Sequence, residues 1–142
     1  MSELEILNNT QLSLIANGIY SLTFTGLIFI TFRAIRYQRE KNANTFGKIL
    51  VTIFGLCTVF YGYTVFSFLR NIQLSQSYRL SALKESGMEI SPWADTIIDF
   101  MGYTSSDGLP IPNTPEPAAI LFIITFAIMV IAGVWINLSK SN

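Results

Sequence analysis

Residues 118–138, AAILFIITFAIMVIAGVWINL, form a run of 21 positions without a charged side chain, and this run determines the class of fold. Twelve of these residues are Leu, Ile, Val or Phe. On the membrane-insertion scale they contribute roughly −4 to −7 kcal/mol before polar residues are counted. As a helix the stretch covers about 31 Å, which matches a hydrocarbon core about 30 Å thick. It therefore predicts a transmembrane helix.

Two earlier stretches share this character: Leu12–Phe32, LSLIANGIYSLTFTGLIFITF, and Ile49–Leu69, ILVTIFGLCTVFYGYTVFSFL, each with 21 uncharged residues. Only 13% of the whole chain is charged and 51% is hydrophobic. Soluble domains carry about 25% charged residues, so this chain is far less charged. The sequence predicts an all-α membrane protein with three transmembrane helices, at about 12–32, 49–69 and 118–138, in one integral membrane domain.

Basic residues gather between the first two apolar stretches. Five of the chain's nine Lys and Arg residues lie there: Arg33, Arg36, Arg39, Lys41 and Lys48. Short loops rich in Lys and Arg stay on the side from which a protein is inserted. The N-terminus is therefore expected outside and the C-terminus inside, in a cell inner membrane or a thylakoid or other organelle inner membrane. The same charges attract anionic lipid headgroups.

Residues 70–117 form a long outer segment between the second and third stretches. Its first part, RNIQLSQSYRLSALKES, either continues the second helix or forms a separate helix ending at Gly87. A further helix is predicted over Ser91–Met101, because Ser91 suits an N-cap, Pro92 the first turn and Gly102 the stop. Four prolines at 110, 112, 115 and 117 then predict extended chain, with Pro117 starting the third span.

The predicted helix Ser91–Met101 has an apolar face. The apolar residues recur at helical spacing, whereas Asp95 and Asp99 occupy another face. The apolar set is Trp93, Ile97, Phe100 and Met101. Such an amphipathic helix is expected to lie in the membrane interface, to bind a partner protein or to fold onto the chain's own spans.

Small and polar residues form stripes on two spans. Stripes of this kind let helix backbones approach closely, either within this chain or against a partner. Asn17 is expected to find a hydrogen-bond partner, since an unpaired amide in hydrocarbon is costly. The predicted packing residues are Asn17, Gly18, Ser21 and Thr25 on the first span, and Gly55, Thr58 and Gly62 on the second.

Composition argues against several functional classes. The chain has no histidine and one cysteine, so neither a disulfide nor a His- or Cys-based metal site is expected within it. No Asp, Glu, Lys, Arg or His side chain lies in the spans, which argues against transport by this chain alone. The formal net charge of zero gives no overall attraction to nucleic acid. We expect no cofactor of its own, although lipid or weakly held pigment contacts are compatible with the sequence.

The leading hypothesis is a small non-catalytic accessory subunit that stabilises a larger, hetero-oligomeric membrane protein complex of respiratory, photosynthetic or membrane oxygenase type. Its partners would be larger membrane subunits and lipids. One alternative is a small membrane enzyme or carrier module with its site around Asp95, Asp99 and Asp107 in the outer segment. Another alternative is a self-associating channel or holin-like protein built on the small-residue stripes.

Overall fold

The computed structural model describes residues 2–111 and 114–136, and every regular element among them is helical. The elements are α1 (Glu3–Glu40), α2 (Thr45–Glu85), α3 (Pro92–Met101), a 3-10 turn (Ser105–Asp107) and α4 (Pro117–Trp135). Helices α1, α2 and α4 are long and apolar enough to cross a membrane. The predictions of an all-helical structure and of three helices long and apolar enough to cross a membrane are therefore confirmed.

The first two helices extend well past their apolar stretches. Helix α1 has 38 residues and α2 has 41, so the predicted basic loop 33–48 shrinks to a turn at 41–44. Nothing between Arg33 and Glu40 breaks a helix, and Arg36 Nε donates to Glu40 Oε1 at 2.8 Å in an i, i+4 ion pair. Half of the predicted loop, residues 33–40, therefore forms the last turns of α1, and residues 45–48 form the first turn of α2.

The turn between α1 and α2 is built from two asparagines. Asn42 has φ 47°, a left-handed conformation that asparagine tolerates better than most residues. Main-chain bonds from Ala43 N to Gln38 O (3.0 Å) and from Asn42 N to Arg39 O (3.2 Å) close the end of α1 as a Schellman motif. Asn44 Oδ1 then accepts a hydrogen bond from Gly47 N at 3.0 Å, capping the start of α2.

The remaining helix ends follow the predicted signals, and the structure selects one of the two alternatives for residues 70–86. Helix α2 continues unbroken through 70–85, and Gly87 beyond it has φ 83°. Helix α4 starts at Pro117, as predicted, and ends at Trp135. Several predicted positions lie outside the described residues. They are the proline at 112, residues 137 and 138 at the end of the predicted third span, and the C-terminal residues up to 142.

The chain divides into two compact units. The first unit comprises residues 1–19 and 66–116, and the second comprises 20–65 and 117–142. In the first unit, α3 packs on the start of α1 and the last turns of α2 through a buried core of Ile6, Leu80, Leu83, Ala94 and Ile98.

The second unit has a core of its own. Segments of α1 and α2 pack with α4 around Ile35, Phe126, Val130 and Val134. The rings of Phe24 and Phe32 meet Phe126 edge to face, with centroids 6.4 and 5.6 Å away, a geometry that aromatic pairs favour. In a lipid environment, side-chain packing of this kind and hydrogen bonds between helices are the interactions that hold helices together.

Candidate interaction surfaces

The start of α3 is fixed by a contact with the start of α1. Glu3 Oε2 accepts the main-chain N–H of Ser91 at 2.8 Å, and Glu3 Oε1 accepts the Ser91 hydroxyl at 2.6 Å. Ser91 Oγ in turn accepts Ala94 N at 3.2 Å, so Ser91 is the N-cap of α3, as its sequence position predicts. Both bonds from Ser91 favour the charged carboxylate and hold the pKa of Glu3 below its ordinary value of 4.5.

A polar stripe on α2 holds the segment that follows α3. Ser77 Oγ donates to Tyr103 O at 2.6 Å, and Ser81 Oγ accepts Ser105 N at 3.2 Å. These two serines are four residues apart and lie on one face of α2. Both serines are buried, and their hydroxyls hydrogen-bond main-chain groups of Tyr103 and Ser105, which follow the end of α3.

Two ion pairs extend this stripe in both directions. Arg70 Nη1 donates to Glu116 Oε1 at 3.0 Å, and Lys84 Nζ pairs with Asp95 Oδ1. The hydrogen bond to Asp95 raises the pKa of Lys84. Residues 70, 77, 81 and 84 share one helical face, and this polar spacing indicates a contact face on α2 without indicating which distant residues meet it. The stripe was not among the predicted packing residues.

Helix α3 carries apolar residues on more than one face. Ala94 and Ile98 are buried in the first core, at 0% and 7% exposure, and were not in the predicted apolar face. Of the four predicted residues, Ile97 and Met101 are half-buried, whereas Trp93 is 58% and Phe100 is 83% exposed. The predicted face is therefore divided. Apolar residues cover more of the α3 surface than its contact with the core uses, so Ile97 and Met101 are partly covered while Trp93 and Phe100 stay exposed.

The small-residue stripe on α2 lies inside the second unit. Gly55 is buried against Val130, and Gly62 is buried against the ring of Phe24, at distances that leave no room for a side chain. Thr58, between them, is also buried.

The hydroxyl of Thr58 meets that of Thr31 on α1, with Oγ1 atoms 3.3 Å apart. The three predicted α2 residues thus lie at contacts within this chain.

The small-residue stripe on α1 is exposed at two of its four residues. Asn17 is buried, at 3% exposure, and Ser21 is half-buried. Gly18 and Thr25 are exposed, and a side chain added at Gly18 would meet no atom within 4 Å. Thr25 Oγ1 donates to Ser21 O at 3.0 Å, which satisfies the hydroxyl inside the helix. The stripe is therefore open at Gly18 and Thr25 and covered at Asn17.

The basic residues fall into two groups. Arg33 and Arg36 line an open groove on α1, together with Phe29, Phe32, Tyr37 and Glu40. Arg39 and Lys48 line a separate, smaller cavity beside the 41–44 turn. Lys41 is exposed on that turn and lines neither.

The acidic residues of the outer segment have different surroundings. Asp95 pairs with Lys84, and Asp107 Oδ2 accepts Thr104 N at 2.8 Å as part of a capping box on the 3-10 turn. Asp99 is exposed. Within residues 2–111 and 114–136, no group of three or more His, Cys, Asp or Glu side chains is arranged to hold a metal ion.

In comparisons with protein families, curated proteins and solved structures, this chain matches none. A functional proposal for the chain therefore depends on its own surfaces.

Proposed function

We propose that this chain is a small accessory subunit of a larger membrane protein complex, and that it binds a larger subunit through the exposed Trp93–Phe100 face of α3. The observation that supports this proposal is the division of α3 into a buried side, Ala94 and Ile98, and an open aromatic side. Aromatic residues on an exposed, rigid element are the usual hot spots of protein interfaces.

The contacts around α3 prepare this face for binding. Ser91 fixes the first turn, Gly102 ends the helix in a left-handed conformation with φ 59°, and the Lys84–Asp95 pair adds a third attachment. A helix held in this way loses little conformational freedom when a partner binds. Trp93 and Phe100 are seven residues apart and project to the same side, so one partner groove would accommodate both rings.

The proposed placement in the membrane follows the basic residues. Arg33, Arg36, Arg39, Lys41 and Lys48 would lie on the cytoplasmic side, or its equivalent in an organelle, and residues 70–117 would lie outside. The partner subunit would then contact α3 at the outer surface. Respiratory, photosynthetic and membrane oxygenase complexes all contain membrane subunits large enough to provide such a surface.

Native mass spectrometry of the gently solubilised full chain tests the proposal. The intact chain should be recovered with a larger subunit, and the double variant Trp93→Ala/Phe100→Ala should lose it. The matched control is Leu109→Ala/Ile111→Ala, which removes two apolar side chains of the same segment that are 75% and 74% exposed. Equal partner recovery from both double variants would contradict the proposal.

A second candidate is self-association, favoured by the open face of α1. Gly18 and Gly26 are both exposed, and a side chain added at either would meet nothing within 4 Å. Small exposed residues on a membrane-length helix allow a second helix to approach. In the same experiment this candidate predicts a homo-oligomer that Gly18→Leu and Gly26→Leu dissociate and that the α3 variants leave intact.

A further inference from the structure

A small polar cavity lies beside the turn between α1 and α2, within the second unit. It has a volume of about 190 Å³ and is lined by Gln38, Arg39, Asn42, Ala43, Lys48 and Val134. Lys48 of this cavity lies beside Trp135, the last residue of α4, with Nζ 5.9 Å from the centroid of the ring. Trp135 Nε1 donates to Thr52 Oγ1 at 3.0 Å. Tryptophan is enriched where hydrocarbon meets water, so the cavity is placed at headgroup depth.

The cavity is basic. Arg39 and Lys48 contribute two positive charges, and no acidic residue of the described chain lines it. Nearby Glu40 pairs instead with Arg36. Arg39 donates one hydrogen bond to Ile136 O, and its other guanidinium donors have no partner among the residues that the structure describes. Two cations with unused donors at headgroup depth suit a phosphate group.

Gln38 adds a requirement that a bare phosphate does not meet. This residue is 5% exposed, and its Oε1 atom is buried without a hydrogen bond from any described residue. A buried carbonyl oxygen without a donor is unfavourable, so the cavity calls for a ligand that donates a hydrogen bond as well as accepting several. A hydroxyl meets this need better than an ammonium group, which would be placed beside two like charges.

We propose that this cavity binds an anionic phosphodiester with a polyol headgroup, as in phosphatidylglycerol. The phosphate accepts hydrogen bonds from Arg39 and Lys48, and a headgroup hydroxyl donates to Gln38 Oε1. Soluble glycerol phosphate, although a monoester, also presents a phosphate group and free hydroxyls, so the lipid and the soluble ester are separate arms of the test. The proposal does not depend on the proposed accessory-subunit role.

Quenching of Trp135 fluorescence by brominated lipids measures this binding directly. The chain has two tryptophans, so Trp93→Phe leaves Trp135 as the only reporter. The full chain is placed in phosphatidylcholine vesicles with either brominated phosphatidylglycerol or brominated phosphatidylmethanol, which carries the same charge and no hydroxyl. We expect phosphatidylglycerol to bind about fivefold more tightly than phosphatidylmethanol, the effect of one hydrogen bond.

Three variants separate a built site from general attraction of charge. Gln38→Leu should abolish the preference for phosphatidylglycerol without changing the net charge. Lys48→Gln should weaken both anionic lipids about fivefold. Lys41→Gln removes the same charge outside the cavity and should have a smaller effect. Circular dichroism on each variant confirms that the helices are retained.

Each outcome of these measurements either supports or overturns the proposed binding site. Loss of the preference in Gln38→Leu, with a larger effect of Lys48→Gln than of Lys41→Gln, supports the site. Relief of quenching by millimolar glycerol phosphate supports the same chemistry and assigns the ligand to the soluble ester. Equal binding of the two anionic lipids, or equal effects of Lys41→Gln and Lys48→Gln, would overturn the proposal.

Discussion

The carboxylate of Glu3 binds both the main-chain N–H and the hydroxyl of Ser91, which lies 88 residues further along the chain. This contact joins the first turn of α1 to the N-cap of α3. Ser91 Oγ also accepts the N–H of Ala94 as the N-cap of α3. The Glu3 carboxylate therefore holds in place the residue that caps this helix. The position of the exposed aromatic face therefore depends on an acidic residue near the N-terminus.

The first prediction concerns this contact. Glu3→Gln replaces a charged acceptor with a neutral amide and should speed hydrogen exchange at the amides of Ser91 and Ala94, because charge-assisted hydrogen bonds are the stronger kind. Glu5→Gln is the control, since among the described residues the Glu5 carboxylate accepts the nearby Ser2 N–H, at 2.8 Å, and has no bond to α3. Similar exchange at these amides in both variants would show that the contact does not hold α3.

The same contact predicts a dependence on pH. The pKa of Glu3 is lowered in the folded chain by its bonds from Ser91, so its stabilising effect is complete above the ordinary value of 4.5. The effect is lost as the pH falls through the lower, folded value. Hydrogen exchange at Ser91 should therefore differ between the wild type and Glu3→Gln at pH 6 and converge in stronger acid. A difference that persists unchanged at acid pH would contradict this assignment.

The close approach of α2 to its neighbours gives a third prediction. Gly62→Ala would place a methyl group against the buried ring of Phe24, and overpacking of this kind costs about 1–3 kcal/mol. Gly26→Ala is the matched control on α1, where the added methyl group meets nothing within 4 Å. That variant should be neutral or stabilising by up to about 1 kcal/mol, since alanine favours helix. Thermal unfolding in detergent compares the two; equal stabilities would be inconsistent with the packing.

The core of the first unit gives a fourth prediction. Leu80 is fully buried, at 0% exposure, so Leu80→Ala should lower the free energy of unfolding of this unit by about 2–5 kcal/mol. Leu4→Ala removes the same atoms from a residue that is 68% exposed and should change it by less than about 0.5 kcal/mol. Chemical unfolding followed through the fluorescence of Trp93, in a Trp135→Phe background, measures both. A small change in the free energy of unfolding of Leu80→Ala would show that α3 is not packed on this core.

The membrane-length helices were predictable from sequence because lipid demands long uncharged stretches, and Ala118–Leu138 satisfies that demand without any knowledge of its neighbours. The caps at Ser91 and Gly102 were predictable because they depend on local backbone chemistry. The attachment of α3 was not. It depends on Glu3 meeting Ser91 and on Ala94 facing Leu80, and contacts between residues so far apart in the chain are not encoded in local periodicity.

The last prediction concerns orientation. Replacing Arg33, Arg36 and Lys41 with Gln leaves Arg39 and Lys48 between the first two spans, two basic residues against three in the outer segment. These three side chains lie outside the cavity beside the turn, so the replacement tests orientation without altering that cavity.

Orientation by positive charge requires an excess of Lys and Arg on the inner side, so the triple variant should insert in both directions. Labelling with a membrane-impermeant thiol reagent in a Cys57→Ser background measures this, with Thr45→Cys reporting the turn and Ser106→Cys the outer segment. In the otherwise unchanged chain only Ser106→Cys should react, whereas in the triple variant both positions should react partially. Strong labelling of Thr45→Cys in the chain that keeps all its Lys and Arg residues would place the basic turn outside and reverse the proposed topology.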